Sequence, residues 1–155
     1  MIEERPQSPR GPVVIAYDGS ELSKIGIEEA GRLLSAGRHA LVVCVWQPVD
    51  VGFVPIDDEP FDATQAQAVR AAAARTAGAG AALAAKVGFQ SESLAIESAP
   101  TWKGIVEVAE ERDASVIVLG SHGRRGFATV LAGSVAGAVA AHSRRTVLIA
   151  HAPAA

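Results

Sequence analysis

Four runs of consecutive apolar, mostly β-branched residues limit the fold more than any other feature of the chain. They are Val13-Val14-Ile15-Ala16, Leu41-Val42-Val43-Cys44-Val45, Val116-Ile117-Val118-Leu119 and Val147-Leu148-Ile149. None has the in/out alternation of a strand with one wet face, so all four suit a parallel sheet covered on both sides. Helical stretches separate them. Leu22, Ile25, Gly26, Ala30, Leu33 and Leu34 recur at helical steps between a Ser20 cap and Gly37, which marks an amphipathic helix with start and stop signals. Ala63 to Val87 is alanine-rich, with Arg70, Arg75 and Lys86 on one side and Gly78 and Gly80 weakening it. Ser93 to Ile96 reads as a shorter strand. Trp102 to Glu111 places Ile105, Val106 and Ala109 at helical spacing, and a last helix opens at Ser134. The resulting order, β-α-β-α-β-α-β-α-β, predicts a doubly wound α/β sheet with right-handed crossovers and helices on both faces.

At 155 residues and 49% hydrophobic content the chain fits one domain, read here as residues 13–152 behind a flexible lead-in of residues 1–12. Alanine supplies 31 of the residues, so close helix–sheet contact is expected and Val, Ile and Leu must build the core. Cys44 is the only cysteine, which excludes an internal disulfide and a cysteine metal cluster and is compatible with a reducing cytoplasm. Trp46 and Trp102 are read as core packing ahead of rim packing. A formal charge of -3 supplies no basic field for nucleic acid or an acidic membrane. The uncharged stretch from Gly126 to Ser143 is broken by glycines, serines and His142 and falls short of a membrane span. Residues 1–12 lack the apolar core of a secretory signal. A cytoplasmic protein is expected.

In such sheets ligands bind beyond the carboxyl ends of strands where strand order reverses, so the strand-to-helix loops carry the chemistry. The loop after the fourth strong run is the most distinctive. It reads Gly120-Ser121-His122-Gly123, nine further residues, then Gly133-Ser134. Glycines let backbone N–H groups approach an oxyanion, and a helix opening at Ser134 offers its positive dipole end to phosphate. Arg124 and Arg125 add charge to the same loop. A plain glycine turn with a capped helix explains the same residues. Asp18, in Tyr17-Asp18-Gly19-Ser20, has two readings as well: a partner for a ribose hydroxyl or metal water, or a local Asp turn ahead of the helix. The loop from Gln47 to Pro60, acidic at Asp57, Asp58 and Glu59, is either a lid or a solvated connection.

These residues resemble a known family. Val13 to Ser20, together with Val116 to Gly126 and Gly133-Ser134-Val135, is similar to the universal stress proteins of the UspA type, and the likeness runs through nearly all of the chain after Pro12. The family signature Gly-x2-Gly-x9-Gly-Ser is matched in full. The resemblance implies an adenine nucleotide alpha-hydrolase-like, Rossmann-like sheet of five parallel strands in the order 3-2-1-4-5. It implies that Asp18 serves the ribose side, that Val45 offers backbone to adenine, and that Gly120, Gly123, Gly133, Ser134 and the adjoining Val135 hold phosphates, with Arg124 beside them. It further implies ATP with Mg²⁺ as the ligand, with cyclic nucleotides in some relatives. Two departures are Thr146, where the family often has proline, and Ser98, where it often has glycine.

Enzyme readings find less support. A Gly-x-Ser-x-Gly elbow is missing because Leu119 and Ala132 stand where its first glycine belongs. Neither a P-loop nor a Gly-x-Gly-x2-Gly fingerprint follows the first strand. His39, His122, His142 and His151 lack the pair spacing of a zinc site, and His122 reads as a loop donor. The expectation is a non-enzymatic, nucleotide-dependent stress-response switch, with a slow ATPase as the enzymatic variant. A dimeric interaction module that binds no nucleotide is the alternative. The apolar strand Thr146 to Ala150, at the edge of the expected sheet, is read as a homodimer joint, with Arg144 and Arg145 either flanking it or forming a solvated cap; the alternative is a monomer whose tail, His151 to Ala155, folds over that edge.

Overall fold

The computed structural model describes residues 11–47, 63–122 and 134–153. Five strands and four helices alternate: β1 (Val13–Ala16), α1 (Glu21–Leu33), β2 (His39–Trp46), α2 (Ala63–Lys86), β3 (Gln90–Glu97), α3 (Thr101–Glu111), β4 (Val116–Gly120), α4 (Ser134–His142) and β5 (Thr146–Ala150). All neighbouring strands pair in parallel, in the order β3-β2-β1-β4-β5. Parallel pairs require a crossover between them, and the helical stretches provide it.

The apolar runs lack alternation because both faces of the sheet are covered. On one face Val13, Ile15, Tyr17, Val42, Val116 and Val118 pack against Ile27 and Ala30 of α1 and Ala84 of α2. On the other, Val14, Leu41, Val43, Ile117 and Leu119 meet Ile105, Val108 and Ala109 of α3 and Val139 of α4. Alternate residues of one strand therefore serve two cores. Cys44 and Trp46 extend the first face into a smaller cluster with Val69, Ala73 and Ala77. Trp46 is core, as expected, whereas Trp102 is half-buried and stacks on the His142 ring at 4.2 Å.

Alanine and glycine in α2 allow close approach. A Cβ on Gly80 would stand 2.5 Å from the Tyr17 ring and 2.7 Å from Val42, so this glycine seats the helix on the sheet at some cost in helix propensity. At α1, the Ser20 hydroxyl accepts the Ser23 N–H at 3.2 Å, and Ser23 Oγ donates to the Ser20 carbonyl at 2.8 Å, which caps the helix.

β3 is longer than the expected Ser93–Ile96. Its first half is Gln90-Ser91-Glu92-Ser93, polar because it borders the sheet edge, and its pairing with β2 runs from His39↔Gln90 to Trp46↔Glu97. Gly11 and Pro12, assigned to the lead-in from sequence, are tied to the body. The Pro12 carbonyl accepts the Ser115 N–H at 3.0 Å, and the Arg38 guanidinium bonds the Ser115 hydroxyl and the Gly11 carbonyl.

Arg145 does not flank the free edge of β5. Its guanidinium grips both oxygens of Glu110 at 2.8 and 3.3 Å, Asp113 at 2.7 Å and the Ala114 carbonyl at 3.2 Å, and so staples the start of β5 to the α3–β4 turn. The hydrogen bonds and charge of Arg145 hold the Glu110 carboxyl below its ordinary value. A carboxyl so depressed stabilises the fold above its unfolded pKa, and that stability is lost as pH falls through the folded one. Wild type is therefore expected to lose unfolding midpoint between about pH 6 and about pH 3 more steeply than Arg145→Met. Parallel thermal melts check this, and equal slopes would show that the staple contributes nothing to acid sensitivity.

Candidate nucleotide site

The order of strands reverses between β1 and β4, and at their carboxyl ends the Asp18 turn and the Gly120-Ser121-His122 segment lie on neighbouring strands. Ile15 pairs with Val118, so Asp18 and Ser121 lie the same number of residues beyond that rung. After Ala16 the chain adds one more rung, Tyr17 N–H to the Val43 carbonyl at 2.9 Å, and then turns. Asp18 Oδ1 accepts the Ser20 N–H at 2.9 Å, closing an Asx turn that Gly19 permits with φ of +83°. The local-turn reading of Asp18 is thus correct as far as it goes. A carboxylate offers about four acceptor positions, so the turn and a ligand hydroxyl are compatible.

On the β4 side, Gly120 is a packing glycine. A Cβ there would lie 2.7 Å from the carbonyl carbon and oxygen of Leu22 in the first turn of α1. Beyond it, Ser121 is 2% exposed and its N–H bonds the Ala150 carbonyl at 2.8 Å, tying the end of β4 to the end of β5. Then comes His122, whose Nδ1 is buried with no hydrogen-bond partner. Leaving such a group unpaired costs about 1 to 3 kcal/mol. Residue spacing reads His122 as a loop donor and gives it no place among the site residues. A buried orphan atom leaves no trace in residue spacing.

Val45 lies on the other side of β1. Ala16 is the last residue of β1 and pairs with Val43, so Val45 stands beyond that end. Peptide groups alternate along a strand. The Val43 carbonyl faces β1 while that of Trp46 faces β3, where it accepts Ser98 N–H, so the backbone of Val45 faces the β1 side. Val45 is half-buried and its side chain packs into the α3–α4 core.

The structure brings Asp18, Val45 and Gly120 to neighbouring strand ends. Ser134 opens α4, and Val135 is half-buried against the same core as Val45. Gly123, Arg124 and Gly133 lie outside the described residues, as does the acidic loop stretch 48–62. Among the described residues no group of three His, Cys, Asp or Glu side chains could hold a metal ion. No described helix is long and apolar enough to cross a membrane. A cavity of about 530 Å³, lined by Leu34, Arg38, Ser115, Thr146 and Leu148 among others, opens at the amino ends of β4 and β5. That is the opposite end of the strands from Asp18, so it is no part of this crevice.

Comparison with known proteins agrees with the topology. Hypothetical protein MJ0577 shares the fold at a TM-score of 0.78 and 19% identity, over 96% of this chain and 100% of its own. A universal stress protein solved in complex with cAMP aligns at 0.64 and 26% identity, over 93% and 98%. The universal stress protein from Archaeoglobus fulgidus in complex with dAMP aligns at 0.56 and 24%, over 92% and 98%. Universal stress protein Rv2623 of Mycobacterium tuberculosis (strain H37Rv) is 32% identical over 158 residues, which cover 94% of this chain and 46% of that protein. The chain thus spans about half the length of the curated relatives it matches. The model of the Universal stress protein family matches residues 9–151, and the chain belongs to that family.

Proposed function

We propose that this protein binds an adenine nucleotide, ATP, at the carboxyl ends of β1, β2 and β4 and acts as a nucleotide-dependent switch in the cytoplasmic stress response. One observation carries the reading: the Asp18 turn and the Gly120-Ser121-His122 segment, far apart in sequence, meet where strand order reverses. Two features of the crevice fit a nucleotide, a carboxylate able to accept from ribose and the β1-facing backbone of Val45 for an adenine edge. His122, two residues past β4, adds a buried imidazole nitrogen with no hydrogen-bond partner. The relatives solved with cAMP and dAMP support the ligand class.

In this reading Asp18 orients the ribose, Val45 reads the base, and the segment from Gly120 through Gly133 and Ser134 receives the phosphates. Mg²⁺ has no cage of described side chains. It would arrive on the triphosphate, retaining most of its water as Mg²⁺ commonly does. In this reading the nucleotide is held as a switch ligand, with slow ATP hydrolysis as the enzymatic variant. Mass spectrometry of nucleotide released from gently purified protein tests the reading, followed by calorimetric titration with ATP and cAMP. Released ATP and tighter ATP binding are expected. Preference for cAMP would select the cyclic-nucleotide reading favoured by the relative solved with it. No binding at all would leave an interaction module.

A homodimer joined through β5 belongs to the same proposal. β5 ends the sheet, and its free side is set by alternation: the Ala150 carbonyl bonds Ser121, so Thr146, Leu148 and Ala150 face β4 while Val147 and Ile149 face outward. Proline at Leu148 would therefore break the sheet from within, whereas Ile149→Pro removes only an outward N–H. Sedimentation of wild type at about micromolar concentration is expected to give a dimer, and Ile149→Pro a folded monomer. A dimer indifferent to that proline would place the joint elsewhere.

A further inference from the structure

One polar atom at the strand ends has no role in the fold. Nδ1 of His122 is buried and unpartnered, alone in this among the side-chain nitrogens and oxygens of the described residues. In either neutral tautomer an imidazole nitrogen is a donor or an acceptor, and burial without a partner forfeits the bond that water would make. Protein interiors leave few such groups unpaired, and those they leave call for an explanation. The backbone that leads to it is held in place. Ser121 N–H is fixed to the Ala150 carbonyl at 2.8 Å, the Ser121 side chain is buried, and Gly120 is wedged against the Leu22 backbone. His122 stands two residues past β4, at the reversal of strand order that Asp18 shares.

We propose that Nδ1 of His122 hydrogen-bonds the nucleotide, donating to an oxygen of its phosphate chain. This rests on the nucleotide-binding reading above and adds a side-chain contact that the glycine pattern lacks, because Gly-x2-Gly leaves position 122 open. Donation follows from the ligand, since ionised phosphate oxygens are acceptors and bonds to charged groups are the stronger ones. The neutral ring then carries its lone pair on Nε2. The ligand-free protein bears the cost of the unmet bond and recovers it on binding. Substitution therefore moves ligand-free stability and ligand affinity in opposite directions, which a purely structural histidine would not do.

Three variants test this: His122→Phe keeps a ring without nitrogen, His122→Asn puts an amide nitrogen near the place of Nδ1, and His122→Gln puts one near that of Nε2. Each is titrated with ATP and with adenosine, and each is melted without ligand. His122→Phe is expected to melt no lower than wild type, to bind ATP about ten- to a hundredfold more weakly, and to bind adenosine as wild type does. His122→Asn should retain more ATP affinity than His122→Gln. Unchanged ATP affinity in His122→Phe overturns the proposal, as does an equal loss for adenosine or a better result for Gln than for Asn. Should His122→Phe fail to fold, the order of Asn and Gln decides alone. A wild type that binds no adenine nucleotide removes the nucleotide reading and this contact together, whereas a binding wild type with an unaffected Phe variant removes only the contact.

Discussion

Gly120→Val is expected to lose about 3 kcal/mol of stability, and with it about 10 °C of unfolding midpoint. The Cβ would lie 2.7 Å from both the carbonyl carbon and the oxygen of Leu22 and 3.0 Å from its Cβ. The backbone atoms cannot rotate aside as a flexible side chain can. Relief would require moving the first turn of α1 or the end of β4. The first is fixed by the Ser20 cap and by Gly26, whose own Cβ position lies 3.6 Å from Gly120 N. The second is tied to β5 through Ser121 and Ala150. A domain of this size has a stability of roughly 5 to 15 kcal/mol, so the variant folds at best with a much reduced margin. Gly78→Ala is the control. A Cβ there meets nothing within 4 Å, and replacing a mid-helix glycine by alanine should stabilise by about 0.5 to 1 kcal/mol. Denaturant or thermal unfolding of the pair checks both signs. A Gly120→Val protein as stable as wild type would mean that α1 and β4 are less closely packed than described.

The contrast between these glycines bears on what the sequence makes legible. The four apolar runs all became strands of a parallel sheet, because covering a strand on both faces writes itself directly into residue type; their order, which the family resemblance implied, is the one observed. β3 was half hidden, since an edge strand with polar residues at Gln90, Ser91, Glu92 and Ser93 carries little apolar signal. Gly120 belongs to a phosphate-binding pattern, yet its contact with Leu22 is a packing demand that would select glycine without any ligand. Gly80 looked like a weakness in α2 and is a seat for Tyr17 and Val42. Such demands depend on which elements become neighbours, and spacing along the chain does not encode them. Arg145 shows the same limit, for its partners Glu110 and Asp113 sit more than thirty residues back. The loops of Asp18 and Gly120 were legible as strand-to-helix connections, while Val45 and the strand order that sets the three ends side by side came from the family resemblance. The state of His122 Nδ1 was not legible, because it depends on what the fold leaves unpaired.

Asp18 separates the two uses of one side chain, and Asp18→Asn is the variant that distinguishes them. The amide oxygen can still accept the Ser20 N–H, so the Asx turn, the φ of +83° at Gly19 and the cap of α1 should all persist. The variant should melt close to wild type. What it removes is the negative charge, and a hydrogen bond to a charged group is worth about 1.5 to 3 kcal/mol. ATP affinity is therefore expected to fall about ten- to a hundredfold. Asp18→Ala should lose as much affinity and also about 1 kcal/mol of stability, because Ser20 N–H then loses its acceptor at a half-buried position. Calorimetric titration with ATP and thermal melts of the three proteins give four differences from wild type, of which only the stability of Asp18→Asn should be near zero. If Asp18→Asn binds ATP as tightly as wild type while Asp18→Ala merely melts lower, the carboxylate serves the fold and not the ligand. The ribose must then be held by another group at the same strand ends.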